Sequence, residues 1–192
     1  MAPHAGPLVD RDLRAAVRRG ELVVTDIDWS LLRPAAVSLR LGTGAYAPTS
    51  RQPVDVARRE TYPDLVERQP DVHGRIVIQP GEVVLVRTLE NVGLSTRLAG
   101  LLDGTSDLAR LGIQVVLAHQ VSPGWGMPDG APLTLEIVSR LAHDVALRPG
   151  MRIANLMIFR GRRARRSYAE MPDRHPASSW SVGSRLADLF DD

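Results

Sequence analysis

The rhythm of the second half of the chain constrains the fold most. From Arg75 onward, short apolar runs alternate with Gly and Pro turns. The runs are Ile76-Val77-Ile78, Val83-Val84-Leu85-Val86, Leu98-Ala99-Gly100-Leu101-Leu102, Gln114-Val115-Val116-Leu117, Leu133-Thr134-Leu135-Glu136-Ile137-Val138 and a last one from Ile153 to Phe159. Between them stand Pro80-Gly81, Pro123-Gly124, Asp129-Gly130 and Pro149-Gly150. Runs this short cannot be long helices. Their spacing predicts strands of a mainly β protein, a sandwich or a barrel. Residues 107–111 are the only helix expected in this half, of one or two turns.

The first half is mixed. Residues 10–20 predict a short helix, with Asp10 or Asp12 as cap, acid at its start, base at its end and Gly20 as its stop. Strands are expected at 22–24 and 37–41. Residues 43–73 are rich in Pro, Arg and Asp and weakly periodic, so they read as an irregular excursion. The tail from 168 to 192 is expected to be mobile. The whole of 1–192 is read as a single domain.

Composition excludes several kinds of chemistry. There is no cysteine, so disulfides and thiolate metal sites are ruled out. All 24 basic residues are arginine, which removes Schiff-base chemistry and a P-loop lysine. No apolar run reaches the ~20 residues of a membrane span, and the N-terminus carries no signal region; a cytoplasmic protein is expected. The five histidines show no metal-binding spacing, so no metal site is expected. Net charge is only +2. The basic run Arg162-Arg163-Ala164-Arg165-Arg166 lacks interleaved aromatics and reads as a solvated linker rather than a nucleic-acid site.

Three residues carry the chemical interest. Ser106 reads as a helix N-cap, and equally as a hydroxyl holding water or substrate at that N-terminus. Arg110, one turn on, is a solvated arginine, a partner for Asp107, or a fixed cation beside a catalytic carboxylate. Glu136 shares one strand face with Thr134 and Val138, opposite Leu133, Leu135 and Ile137. That face looks either to water or into a cleft, where a carboxylate can move protons. His119 reads as a ligand, a base or a packed histidine.

Taken in order, Asp103-Gly104, Ser106, Leu108-Ala109-Arg110-Leu111-Gly112, Ala118-His119, Pro123-Gly124-Trp125 and Leu135-Glu136 resemble the dCTP deaminase branch of the dUTPase-like superfamily. The strand from Pro34 to Gly42, the turn Leu147-Arg148-Pro149-Gly150-Met151 and the pair Ser184-Arg185 extend the likeness over nearly the whole chain. The resemblance implies a distorted jelly-roll β-barrel with a short N-terminal helix and few others. It also implies a homotrimer with sites at subunit interfaces, acting on a pyrimidine nucleotide or nucleoside without nucleic acid or membrane.

In that family Glu136 would shuttle the proton as water attacks C4 of cytosine. Arg110 would keep it charged and oriented. Ser106 and the Ala118 carbonyl would place the water. Thr105, Asp107, Ala118, His119, Ser122, Trp125, Thr134, Tyr168 and Arg174 would bind the substrate. No cofactor serves the chemistry, and Mg2+ would enter only with a triphosphate. The expected reaction is dCTP plus water to dUTP plus ammonia. The alternatives are a less phosphorylated or modified cytidine, or a weakly catalytic nucleotide-binding paralogue.

The departures from the family pattern gather around the phosphates and sugar. Thr105 replaces a phosphate-contacting arginine, Asp107 a serine, and Ser122 an aspartate that meets the sugar 3′-hydroxyl. The family's Lys-Tyr-x-x-Gln lid is not legible in Arg174-His175-Pro176-Ala177-Ser178. A carboxylate ~4 Å from a phosphate repels it by ~4 kcal/mol at an effective dielectric of ~20. Ser122 also counts against a dUTPase-type pyrophosphatase, which needs an aspartate there.

Overall fold

The structure, a computed structural model, describes residues 6–172, 174–175 and 183–189. Its elements in chain order are β1 (Gly6–Pro7), α1 (Asp10–Arg18), β2 (Leu22–Val24), β3 (Val37–Thr49), β4 (Asp64–Glu67), β5 (Ile76–Ile78), β6 (Val83–Leu94), β7 (Leu98–Gly104), α2 (Ser106–Arg110), β8 (Ile113–Gln114), β9 (Gln120–Val121), β10 (Ala131–Ser139), β11 (Val145–Leu147) and β12 (Arg152–Arg160).

Ten strands make one antiparallel sheet. Its main path runs β8-β10-β6-β3-β12-β7-β9; β1 joins β12, β2 joins β6 and β4 joins β3. β5 and β11 pair separately. The fold is a mainly β, curled sheet of the jelly-roll type with few helices. Its inward face is aliphatic, built from Leu39, Leu41, Val84, Val86, Leu94, Leu98, Leu135, Ile137, Leu156 and Ile158, all fully buried. α1 closes it with Leu13 and Ala16.

β10 positions the carboxylate of interest. Burial alternates strictly along it, with Leu133, Leu135, Ile137 and Ser139 buried and Thr134, Glu136 and Val138 half-buried. Burying Leu135 and Ile137 contributes ~1.5–3 kcal/mol each, and a one-residue slip would drive Glu136 into the core, so the register is firmly set. Between Pro132 and Thr134 the ladder with β6 shifts. There the Leu133 amide donates to Thr88 Oγ1 at 2.9 Å, and the buried Thr88 hydroxyl donates to the Glu90 carbonyl at 2.7 Å. The shift is therefore satisfied by hydrogen bonds rather than left as a defect.

Four expectations differ from the structure. Residues 43–73 are not one irregular loop: β3 runs on to Thr49 and pairs with β4, making a hairpin arm joined through residues 50–63. The inward residues of this stretch of β3 are Ala45 and Ala47, too weakly apolar to mark a strand. The strand expected at 114–117 stops at Gln114. Thr105, not Ser106, caps α2: its Oγ1 accepts from the Leu108 amide at 3.4 Å and it is buried. α1 has Val9 at its N-cap with no side-chain cap, while Asp10 accepts from the Arg11 amide at 2.7 Å.

Part of the tail is described. Ala187 is fully buried, and the Asp188 carboxylate is paired with both Arg59 and Arg185. Residues 173, 176–182 and 190–192, also in the tail expected to be mobile, lie outside the described residues.

Candidate active site

A cavity of about 510 Å3 opens beside β10 and takes Thr134 and Glu136 as part of its wall. Of the two readings of the Glu136 face, the cleft is the one observed. Glu136 Oε2 accepts from the Leu117 amide at 3.1 Å and the Ala118 amide at 3.3 Å. These bonds go with the short strand at 113–114. Released from any ladder, the amides of 117 and 118 turn to the carboxylate instead. Two donors on one oxygen hold it in place, while Oε1 has no protein donor among the described residues. Much of the remaining wall is apolar, from Leu85, Leu102, Val121 and Leu133, and such surroundings strengthen polar contacts made inside.

An aromatic pair forms another wall. The Trp125 and Tyr168 rings lie 5.3 Å apart, tilted by 49°. The turn at 122–125 sets Trp125, through the Trp125 amide to the Ser122 carbonyl at 3.1 Å and the Leu94 amide to the Trp125 carbonyl at 2.8 Å. The sequence Ser167-x-x-Glu170 sets Tyr168 by a capping box: Ser167 Oγ accepts from the Ala169 amide, and Glu170 accepts from the Ser167 amide at 2.8 Å. The Tyr168 hydroxyl accepts from the His175 amide at 2.9 Å. The Trp125 indole N–H is buried without an acceptor among the described residues.

The structure divides the candidate residues into two groups. Glu136, Ala118, Ser122, Trp125, Thr134 and Tyr168 all line the cavity. Ser106, Arg110, Thr105, Asp107, His119 and Arg174 do not line it. Ser106 and Arg110 are exposed on α2. Asp107 is mostly exposed and lies 3.9 Å from Arg152 rather than pairing with Arg110, so its charge has a cationic neighbour. His119 Nδ1 donates to the Leu102 carbonyl at 2.7 Å; a carbonyl only accepts, so the ring proton sits on Nδ1 in the neutral form. Arg174 Nη1 donates to the Met171 carbonyl at 3.1 Å.

The sequence reading missed one side of the cavity. Pro48, Tyr62, Pro63 and Leu65 reach it from the hairpin arm, and His175, Gly183 and Ser184 from the tail. The Tyr62 hydroxyl donates to the Val56 carbonyl at 2.6 Å, which stiffens the arm beside the pocket. Tyr62-Pro63 was the available signal, but it sits where periodicity is weakest. Among the described residues no three His, Asp or Glu side chains gather as a metal ion requires, and no helix is long and apolar enough to cross a membrane.

Residues 8–161 match the model of the dCTP deaminase-like family. A curated relative from Mycolicibacterium vanbaalenii, named dCTP deaminase, dUMP-forming, is 36% identical over 93% of this chain and 88% of its own length. One of the same name from Mycobacterium marinum is 34% identical with the same coverage. Among solved structures, the 2′-deoxycytidine 5′-triphosphate deaminase of Agrobacterium tumefaciens superposes with a TM-score of 0.61 at 23% identity. That likeness covers 83% of this chain and 49% of the other, so the chain spans about half its length and shares its fold. The matched stretch takes in both the Glu136 strand and the helix bearing Arg110, and relatives about a third identical run nearly from end to end: the chain belongs to the dCTP deaminase-like family.

Proposed function

We propose that the Glu136 cavity deaminates the cytosine ring of dCTP and that the overall product is dUMP. The observation that carries this is the Glu136 carboxylate, fixed through Oε2 by two backbone amides on the wall of a largely apolar cavity. Such a group can take a proton from water through Oε1 as the water adds to C4, then return it to the ring and the leaving amine. Proton transfer of this kind contributes ~10²–10⁴-fold, with orientation adding more. Trp125 and Tyr168 offer aromatic faces to the base.

The dUMP product rests on the names of the curated relatives, and it replaces the dUTP expected from sequence. Two reactions are then needed: deamination, and hydrolysis between the α and β phosphates. The sum is dCTP plus two waters to dUMP, ammonia and pyrophosphate. Ser122 brings a hydroxyl, not a carboxylate, to the cavity wall, so the second step is the more demanding test. Mg2+ would accompany the triphosphate.

We further propose that the working form is a cytoplasmic homotrimer with sites at subunit boundaries. Ser106 and Arg110 stand outside the cavity of their own chain, so a neighbour's α2 is the natural source of the cation. The outward face of β7 and β12 suits such packing: Leu101 and Met157 are register partners and both exposed, beside half-buried Ala99 and Phe159.

Ammonia release and nucleotide products should be followed with dCTP, CTP, dCMP and deoxycytidine. Ammonia and dUMP from dCTP support the proposal. Accumulation of dUTP would keep the deaminase and remove the second step. Ammonia from dCMP or deoxycytidine but not dCTP would shift the substrate to a less phosphorylated cytidine. Binding of dCTP without product would favour the nucleotide-binding paralogue.

A further inference from the structure

A second cavity, of about 630 Å3, shares no wall residue with the first. Its charged groups come from four places in the fold. Arg11, Asp12 and Arg19 belong to α1 and its C-terminal end, Glu21 to the step into β2, Arg97 to the turn between β6 and β7, and Arg160 to the end of β12.

The wall carries four guanidiniums against two carboxylates. Glu21 is shared: it accepts from Arg160 at 2.6 and 3.3 Å and from Arg19 at 2.8 and 3.1 Å. One carboxylate thus serves two arginines and leaves positive charge over. Arg160 is only 7% exposed in its side chain, so its guanidinium is a fixed part of the floor. Arg11 reaches Asp12 only at 3.9 Å, and Arg97 has no carboxylate in salt-bridge range among the described residues.

The basic run adds to this excess. The Gly161 amide donates to the Arg97 carbonyl at 3.1 Å, and the Ala164 amide to the Thr96 carbonyl at 2.8 Å. These bonds fasten the segment bearing Arg162, Arg163, Arg165 and Arg166 to the same turn as Arg97. All four are exposed, and none has an acidic partner among the described residues. The run is solvated, as its composition suggests, and these bonds make it a strap pinned beside the cavity.

We propose that this cavity and its arginine strap form a second anion site, one that takes an oligophosphate. Guanidinium groups match phosphate oxygens in pairs, and several held close together favour a ligand with more than one charge. The uncharged wall is Pro7, Leu8, Val9 and Ala15, with no aromatic ring on which a base could stack. Recognition therefore falls on the phosphates, whether of inorganic oligophosphate or of a nucleotide's tail.

The test uses Glu136→Gln protein without dCTP, whose own triphosphate would compete for a site that reads phosphates; binding at the first cavity is told apart by the arginine substitutions. Inorganic tripolyphosphate and ATP are titrated in separately by calorimetry. Binding of tripolyphosphate that weakens about tenfold or more in the added Arg97→Ala/Arg163→Ala background supports the site. Both substituted side chains are exposed, and the KM for dCTP of the otherwise native enzyme should not move. Equal affinity for ATP assigns recognition to the phosphates alone; much tighter ATP binding assigns the site to a nucleotide tail. The proposal is overturned if neither anion binds, if the double substitution leaves affinity unchanged, or if single-stranded DNA binds while both small anions do not.

Discussion

Gly124 and Ser167 are interlocked. Gly124 holds a φ of +89°, and a Cβ built on it would overlap the Ser167 hydroxyl. The contact brings the capping box against the turn that carries Trp125, and the Tyr168 amide fastens it by donating to the Pro123 carbonyl at 2.8 Å. The aromatic wall of the cavity therefore depends on a glycine for two separate reasons, handedness and space.

Gly124→Ala should lower stability by about 1–3 kcal/mol and raise KM, because Tyr168 is pushed away from Trp125. Chemical denaturation measures the loss of stability, and steady-state kinetics the rise in KM. Full stability in the variant would show that the turn yields freely.

The strands with alternating or continuous large aliphatics were legible in the sequence, as were α1 and α2. β10 is the clearest case, since Leu133, Leu135 and Ile137 fix both the strand and the face of Glu136. The hairpin arm was not legible, because its inward residues are alanines and its cavity residues are two prolines, a tyrosine and a leucine with no common period. The hydrogen bonds of Glu136 were also hidden. They exist because the chain leaves its strand at Gln114, and propensity favoured Val115 and Val116 continuing it. Spacing placed Arg110 near Ser106 but could not reveal that both stand outside the cavity of their own chain.

Glu136→Gln should fold normally, within about 1 kcal/mol of the parent, because the glutamine oxygen can still accept from the Leu117 and Ala118 amides. Deamination should fall by at least ~10²-fold, since an amide cannot carry the proton. Thermal unfolding and single-turnover ammonia release check the two halves. Retained activity would remove Glu136 from the reaction.

Glu21 predicts a pH dependence of stability. The Arg160 hydrogen bond, and after it that of Arg19, holds its carboxyl at about 2 instead of 4.5, with partial burial pulling the other way. Between these values the unfolded chain binds a proton that the folded chain does not. The stabilisation is therefore complete above pH 4.5 and is lost as pH falls through about 2. After allowance for solvent screening the loss is about 1–2 kcal/mol. Urea unfolding of the parent and of Glu21→Gln over this range should show the parent's advantage shrinking as acid is added. A constant gap would mean that the pair does not govern this titration.

The placement of Arg110 outside its own cavity allows a decisive mixing experiment. Arg110→Ala and Glu136→Gln should each be close to inactive alone. If each site takes Glu136 from one chain and Arg110 from the next, some sites in a mixed assembly receive both native residues. Random exchange at equal amounts gives such sites with a frequency of roughly a quarter. Unfolding the two variants together and refolding them should therefore restore roughly a quarter of native activity. Variants refolded apart and then combined without exchange should stay inactive. If Glu136 and Arg110 of the same chain worked together, no mixed assembly could hold both, and the refolded mixture would show no recovery.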